Sequence, residues 1–190
     1  MTMADKVKNT RAIKHAKKQR QLLLWRAVWT MAGVIALAAV GYVVWDAVRP
    51  KPGQSLPLQS RTHIRLGDEH EPYNSDPPTS GAHAGAVSEG FYSEPLPDEN
   101  LVHNLEHGYI VISYNCARLA GDECQRLETQ IRNVIDNGGE KLIAVPRPTL
   151  DTQIALTSWG RLYKLESFDQ AKIVEFIKDF RNKAPEPEAP

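Results

Sequence analysis

YIVISY, residues 109–114, is a short run of apolar and β-branched residues bounded by Gly108 and Asn115, and it reads as a buried strand. The residues after it alternate in character. Glu123–Asn137 places Leu127, Ile131, Val134 and Ile135 at helical spacing, and Gly138-Gly139 ends the pattern. KLIAV (141–145) is a second strand, stopped by Pro146 and Pro148. Ile154–Leu165 holds one bent strand or a hairpin through Trp159-Gly160. Phe168–Phe180 is amphipathic, with Ile173, Val174, Phe176, Ile177 and Phe180 on its apolar side, Asp169 in its first turn and Ser167 as a possible N-cap. The order β-α-β-β-α predicts an α+β domain, a small mixed sheet with two or three helices in an arrangement that could be thioredoxin-like. A thioredoxin-type redox site is excluded, because the chain has no C-x-x-C.

Upstream, the composition changes sharply. The formal net charge of the 190 residues is zero, but it is unevenly spread. Residues 1–26 carry Lys6, Lys8, Arg11, Lys14, Lys17, Lys18, Arg20 and Arg26 against Asp5, and residues 27–48 carry only Asp46. AVWTMAGVIALAAVGYVVW, residues 27–45, has no charge. At about 1.5 Å per residue it nearly crosses a hydrocarbon core of roughly 30 Å. Trp25, Trp29, Tyr42 and Trp45 lie near its ends, where amphipathic rings favour the headgroup level. A signal-peptide core is shorter and is followed by a small-residue cleavage site, which Asp46–Pro50 does not offer. The cationic excess before the helix puts the N-terminus in the cytoplasm and the rest outside, with the bilayer as partner through residues 27–48. Without aromatic interleaving, a zinc motif or a helix-turn-helix pattern, the basic head is expected to serve topology rather than nucleic acid.

The expected organisation is therefore a basic cytoplasmic head (1–26), a transmembrane helix (27–48), a proline-rich linker (49–61), one extracytoplasmic domain (62–183) and a tail, APEPEAP (184–190), unable to build a core and expected to be disordered. Cys116 and Cys124 enclose ARLAGDE, and in an oxidising compartment such a pair is expected as a disulfide, with a thiolate metal site as the lesser alternative.

Histidines carry the functional signal. His63, His70, His83, His103 and His107 all follow the apolar segment. In LVHNLEHG (101–108) His103 and His107 share a face on a helix or a strand alike, and Glu106 joins His103 if the segment is a helix, capped by Asp98 and closed by Gly108. Two co-facial imidazoles are half of a zinc or copper site, with His83 or His70 available as a third ligand and Glu106 as ligand or orienter. No methionine follows Met31, so a methionine-rich copper(I) site is unavailable. H-x-x-E-H also matches a zinc peptidase signature in which Glu106 would activate water. Against both stands a buried, hydrogen-bonded network of His103 and His107 with Tyr73, Asn74 or Glu106.

YNSDPPTSGAH (73–83) is turn chemistry: Pro77-Pro78 restrict the backbone, Ser75, Asp76, Thr79 and Ser80 bond local amides, and Gly81 permits an unusual angle before His83. Tyr73, Asn74 and Ser80 are its candidate ligand-binding side chains, in a rigid loop presenting His83 to a cleft.

PYNSDPPTSGAH (72–83), LVHNLEHGYIVISY (101–114), VPRP (145–148) and IALTSWGR (154–161) resemble a bacterial family catalogued as domain of unknown function 3105, over about residues 62–183. The resemblance implies a membrane-anchored protein with an extracytoplasmic domain and implies no activity. Its PPTSG-x-H and HN-x-EHG segments correspond to residues 77–83 and 103–108. The function expected is binding of copper, zinc or a small polar ligand at His83, His103, His107 and Glu106. The alternatives are a structural or assembly role in the cell envelope, or zinc-dependent hydrolysis.

Overall fold

The computed structural model of the chain describes residues 3–117 and 119–189, with side chains from residue 17 onward. The basic side chains before Lys17, Arg118 of the cysteine loop and Pro190 of the tail lie outside the described residues. The chain divides into two compact units, Met1–Pro50 and Lys51–Pro190.

The first unit is one helix, α1 (Met3–Val48). Its stretch Lys17–Val48 is long and apolar enough to cross a membrane.

The second unit is α+β. In chain order it has β1 (Gln54–Ser55), β2 (Gly90–Phe91), α2 (Asp98–Glu106), β3 (Ile110–Tyr114), α3 (Glu123–Gly138), β4 (Leu142–Pro146), β5 (Ile154–Ser158), β6 (Arg161–Leu165) and α4 (Gln170–Phe180). The mixed sheet runs β1-β6-β5-β3-β4-β2. β3 lies parallel to β4 and antiparallel to β5, and β5–β6 is a hairpin through Trp159-Gly160. The central strand β3 is buried along its whole length, so alternate side chains serve two cores. Ile110, Ile112 and Tyr114 pack with Ile131 of α3 and with Ile173 and Phe176 of α4. Val111 packs with Ile143 and Val145 of β4 and with Leu101 and Leu105 of α2. Helices therefore cover both faces, and α2 holds the second one.

Two expected caps differ. Asp98 is not the cap of α2: Pro97 holds that position, and the Asp98 carboxylate accepts two hydrogen bonds from Arg147, at 2.6 and 2.9 Å. The cap of α4 is Asp169 rather than Ser167, its side chain accepting from the Lys172 amide. That hydrogen bond, with the Lys172 ammonium beside it, lowers the Asp169 pKa.

The segments expected as linker and tail both touch the domain. β1 pairs with β6, and the Leu56 amide donates to the Gly160 carbonyl at 2.9 Å. In the tail, the Glu186 amide donates to the Glu106 carbonyl at 3.0 Å. Lys141 Nζ donates to the carbonyls of Pro187 at 2.6 Å, Ala189 at 3.1 Å and His107 at 3.0 Å. Cys116 and Cys124 form a disulfide.

Candidate metal centre

Three separate segments bring three imidazoles together. His103 comes from α2, whose Leu101, Val102 and Leu105 are buried against the sheet. Asn104 pins the opposite segment to this helix: its side chain accepts from the Val87 amide at 3.0 Å and donates to the Val87 carbonyl at 2.8 Å. His83 ends the PPTSGAH loop. His63 lies beside it through an isolated parallel bridge, in which the Ile64 amide donates to the His83 carbonyl at 2.9 Å and the His83 amide to the Thr62 carbonyl at 3.1 Å. Ring centroids are 4.4 Å apart for His63 and His83, 5.1 Å for His83 and His103, and 5.2 Å for His63 and His103.

The loop that delivers His83 is tightly determined. Gly81 has φ +133°, and a Cβ there would meet the Tyr73 ring at 2.8 Å. Tyr73 donates to the Ala82 carbonyl at 2.7 Å, Asn74 donates to the Pro57 carbonyl at 2.7 Å, and Ser80 accepts from the Gln59 amide at 3.0 Å. These three side chains thus join the loop to itself and to residues 57–59. Arg147 ties the loop to α2, donating to Asp76 at 2.7 Å as well as to Asp98. Burial, with the carboxylates of Glu99 and Asp98 nearby, raises the Tyr73 pKa, so the phenol keeps the proton it donates.

The imidazole donors are oriented. His83 Nδ1 lies 2.8 Å from the Gly81 carbonyl, which can only accept, so Nδ1 carries the proton and donates. Nε2 then faces inward, 2.9 Å from Glu106 Oε2, with both side chains fully buried. Arg61 Nε lies 2.8 Å from Glu106 Oε1, and His63 Nε2 lies 3.8 Å from Oε2. These are ion-pair distances without hydrogen-bond alignment: among the described residues, His83 Nε2, His103 Nδ1 and both Glu106 oxygens are buried and have no hydrogen-bond partner. Burial, then the imidazoles of His107 and His83, lowers the pKa of His103 against the opposing effect of the Ala84 backbone, so its ring favours the neutral form that metals bind.

One nitrogen from each of His63, His83 and His103 falls within 4.8 Å of the others. Four donors on a sphere of about 2.0–2.1 Å around zinc are about 3.3 Å apart, so modest ring rotations close the set. His107 stacks edge-on against His103, with centroids 4.5 Å apart, but belongs to a neighbouring group with Glu106 and Glu186. His70 lies apart, against Tyr73 and 3.7 Å from Glu99. His63 is the ligand candidate that spacing does not reveal, because it reaches the centre through a bridge to a residue 20 positions away.

His83 and Glu106 are buried, His103 is half-buried and His63 exposed, in an α+β domain whose chain also carries a long apolar N-terminal helix. The particular family follows from the sequence: the family described as "Protein of unknown function (DUF3105)" matches residues 66–190, and the chain belongs to it. No curated protein and no solved structure matches the chain.

Proposed function

We propose that this domain binds a divalent transition metal, zinc or copper, through His63, His83 and His103, with Glu106 as an additional ligand or as the group that orients His83. The observation that carries this is the set of buried donors without hydrogen bonds. A structural network of histidines requires that buried polar atoms satisfy one another. Here, among the described residues, His83 Nε2, His103 Nδ1 and both Glu106 oxygens have no hydrogen bond, with Glu106 in ion-pair contact with His83 and Arg61. A cation satisfies them together, and the Gly81 carbonyl supplies the outer hydrogen bond that fixes a ligating imidazole. Imidazole and carboxylate without thiolate or thioether suit zinc and copper(II) over copper(I).

α1 is read as a single inner-membrane span with its N-terminus in the cytoplasm, placing the metal centre outside. The cationic residues ahead of the apolar stretch support that orientation, and the disulfide agrees with an oxidising compartment.

Equilibrium dialysis of the full chain in detergent against zinc or copper(II), with metal analysis, tests the binding. Wild type should retain metal, and His83→Gln should lose it. A wild type that retains none would leave the cluster as scaffold.

A further inference from the structure

We propose that the centre takes a second divalent cation, held by Glu106, His107 and Glu186, with the Glu106 carboxylate shared between the two positions. This rests on the three-imidazole site proposed above. One donor atom from each of Glu106, His107 and Glu186 lies within 4.8 Å of the other two. His107 Nε2 is 3.9 Å from Glu186 Oε2. Glu106 is fully buried, and among the described residues neither oxygen has a hydrogen bond. Oε2 faces His83 and His63, whereas Oε1 faces Arg61, which in turn reaches Glu186. The carboxylate thus presents one oxygen to each side, as a bridging ligand does. His103 and His107, four apart at the end of α2, supply one imidazole to each side.

Arg61 shows where positive charge is required. Its guanidinium spans the two carboxylates, 2.8 Å from Glu106 and 3.2 Å from Glu186, and its side chain is half exposed. It can therefore swing into solvent when a divalent cation takes its place. Glu186 comes from the tail, whose backbone is bonded to the Glu106 carbonyl and to Lys141. Occupancy of the second position and docking of the tail are accordingly one linked event.

Zinc titration of the full chain in detergent micelles, read as stoichiometry and stepwise affinity, tests this. Wild type should bind zinc in two steps. Glu186→Gln, a change on the half-exposed tail, should abolish the second step and leave the first. Arg61→Gln should tighten the second step, because the competing cation is gone. A single step in both wild type and Glu186→Gln overturns the second position and leaves the three-imidazole site standing. Two steps that survive in Glu186→Gln, or a second step weakened by Arg61→Gln, overturn it as well. Absence of zinc from every protein defeats both proposals.

Discussion

Nε2 of His83 lies 2.9 Å from Oε2 of Glu106, and neither side chain reaches solvent. With Nδ1 donating to the Gly81 carbonyl, Nε2 is the nitrogen turned toward the carboxylate. A metal ion bound to that nitrogen would sit beside the Glu106 carboxylate, which makes this contact the one to test first.

Glu106→Gln keeps the shape and removes the charge. Metal affinity should fall by about 10–100-fold, the usual effect of losing a charged partner beside a ligating imidazole. Isothermal titration measures it. Unchanged affinity would show that Glu106 neither binds the metal nor orients His83.

The pH response of the chelator-treated protein follows from His103. Its pKa is held below the ordinary value of about 6.5 by burial and by its imidazole neighbours. As pH falls below about 6.5 the unfolded chain therefore takes up the proton first, and stability drops until the folded-state value is passed. Denaturant midpoints measured between neutral and acidic pH should fall more steeply in wild type than in His103→Gln. Parallel slopes would contradict the assignment.

Arg147 joins three segments: its amide donates to the Tyr114 carbonyl at 2.7 Å, and its guanidinium grips Asp98 and Asp76. Charge-assisted, two-pronged contacts of this kind exceed ordinary surface pairs, so Arg147→Ala should cost about 2 kcal/mol. Arg147→Lys should recover only part of it, because an ammonium cannot reproduce the fork. Urea denaturation of the three proteins decides the order.

The Cys116–Cys124 disulfide closes a short loop between the end of β3 and the first turn of α3. In the chain-entropy picture such a closure contributes about 2–3 kcal/mol. Cys116→Ser with Cys124→Ser should lower the denaturation free energy by that amount and leave metal binding intact, since the pair lies outside the imidazole cluster.

Where side-chain periodicity is strong, the fold was legible. The continuous apolar run of 110–114 and the helical spacing of Leu127, Ile131 and Val134 each require burial, and the structure has it. Caps were less legible, because an acidic residue near a helix start serves either the backbone or a distant arginine. Asp98 does the second. Within the centre, His83, His103, Glu106 and His107 stood out through their setting among glycines or along one helix. His63 and Glu186 did not. Each sits in a segment without periodicity and is positioned by main-chain hydrogen bonds to residues far along the chain, which no local pattern encodes.

Lys141 adopts φ +61° and gathers three main-chain carbonyls on its ammonium, one from the end of α2 and two from the tail. The protein here behaves as a crown-like host with its own lysine as the guest. None of those oxygens can donate, so a side chain without a donor at 141 removes all three of these hydrogen bonds. Residues 187–189 of the tail are thus held by a cationic side chain. Acetylation of this single lysine would take the cation out of that mooring and leave the tail held by the Glu186 amide on the Glu106 carbonyl and by the Arg61–Glu186 pair.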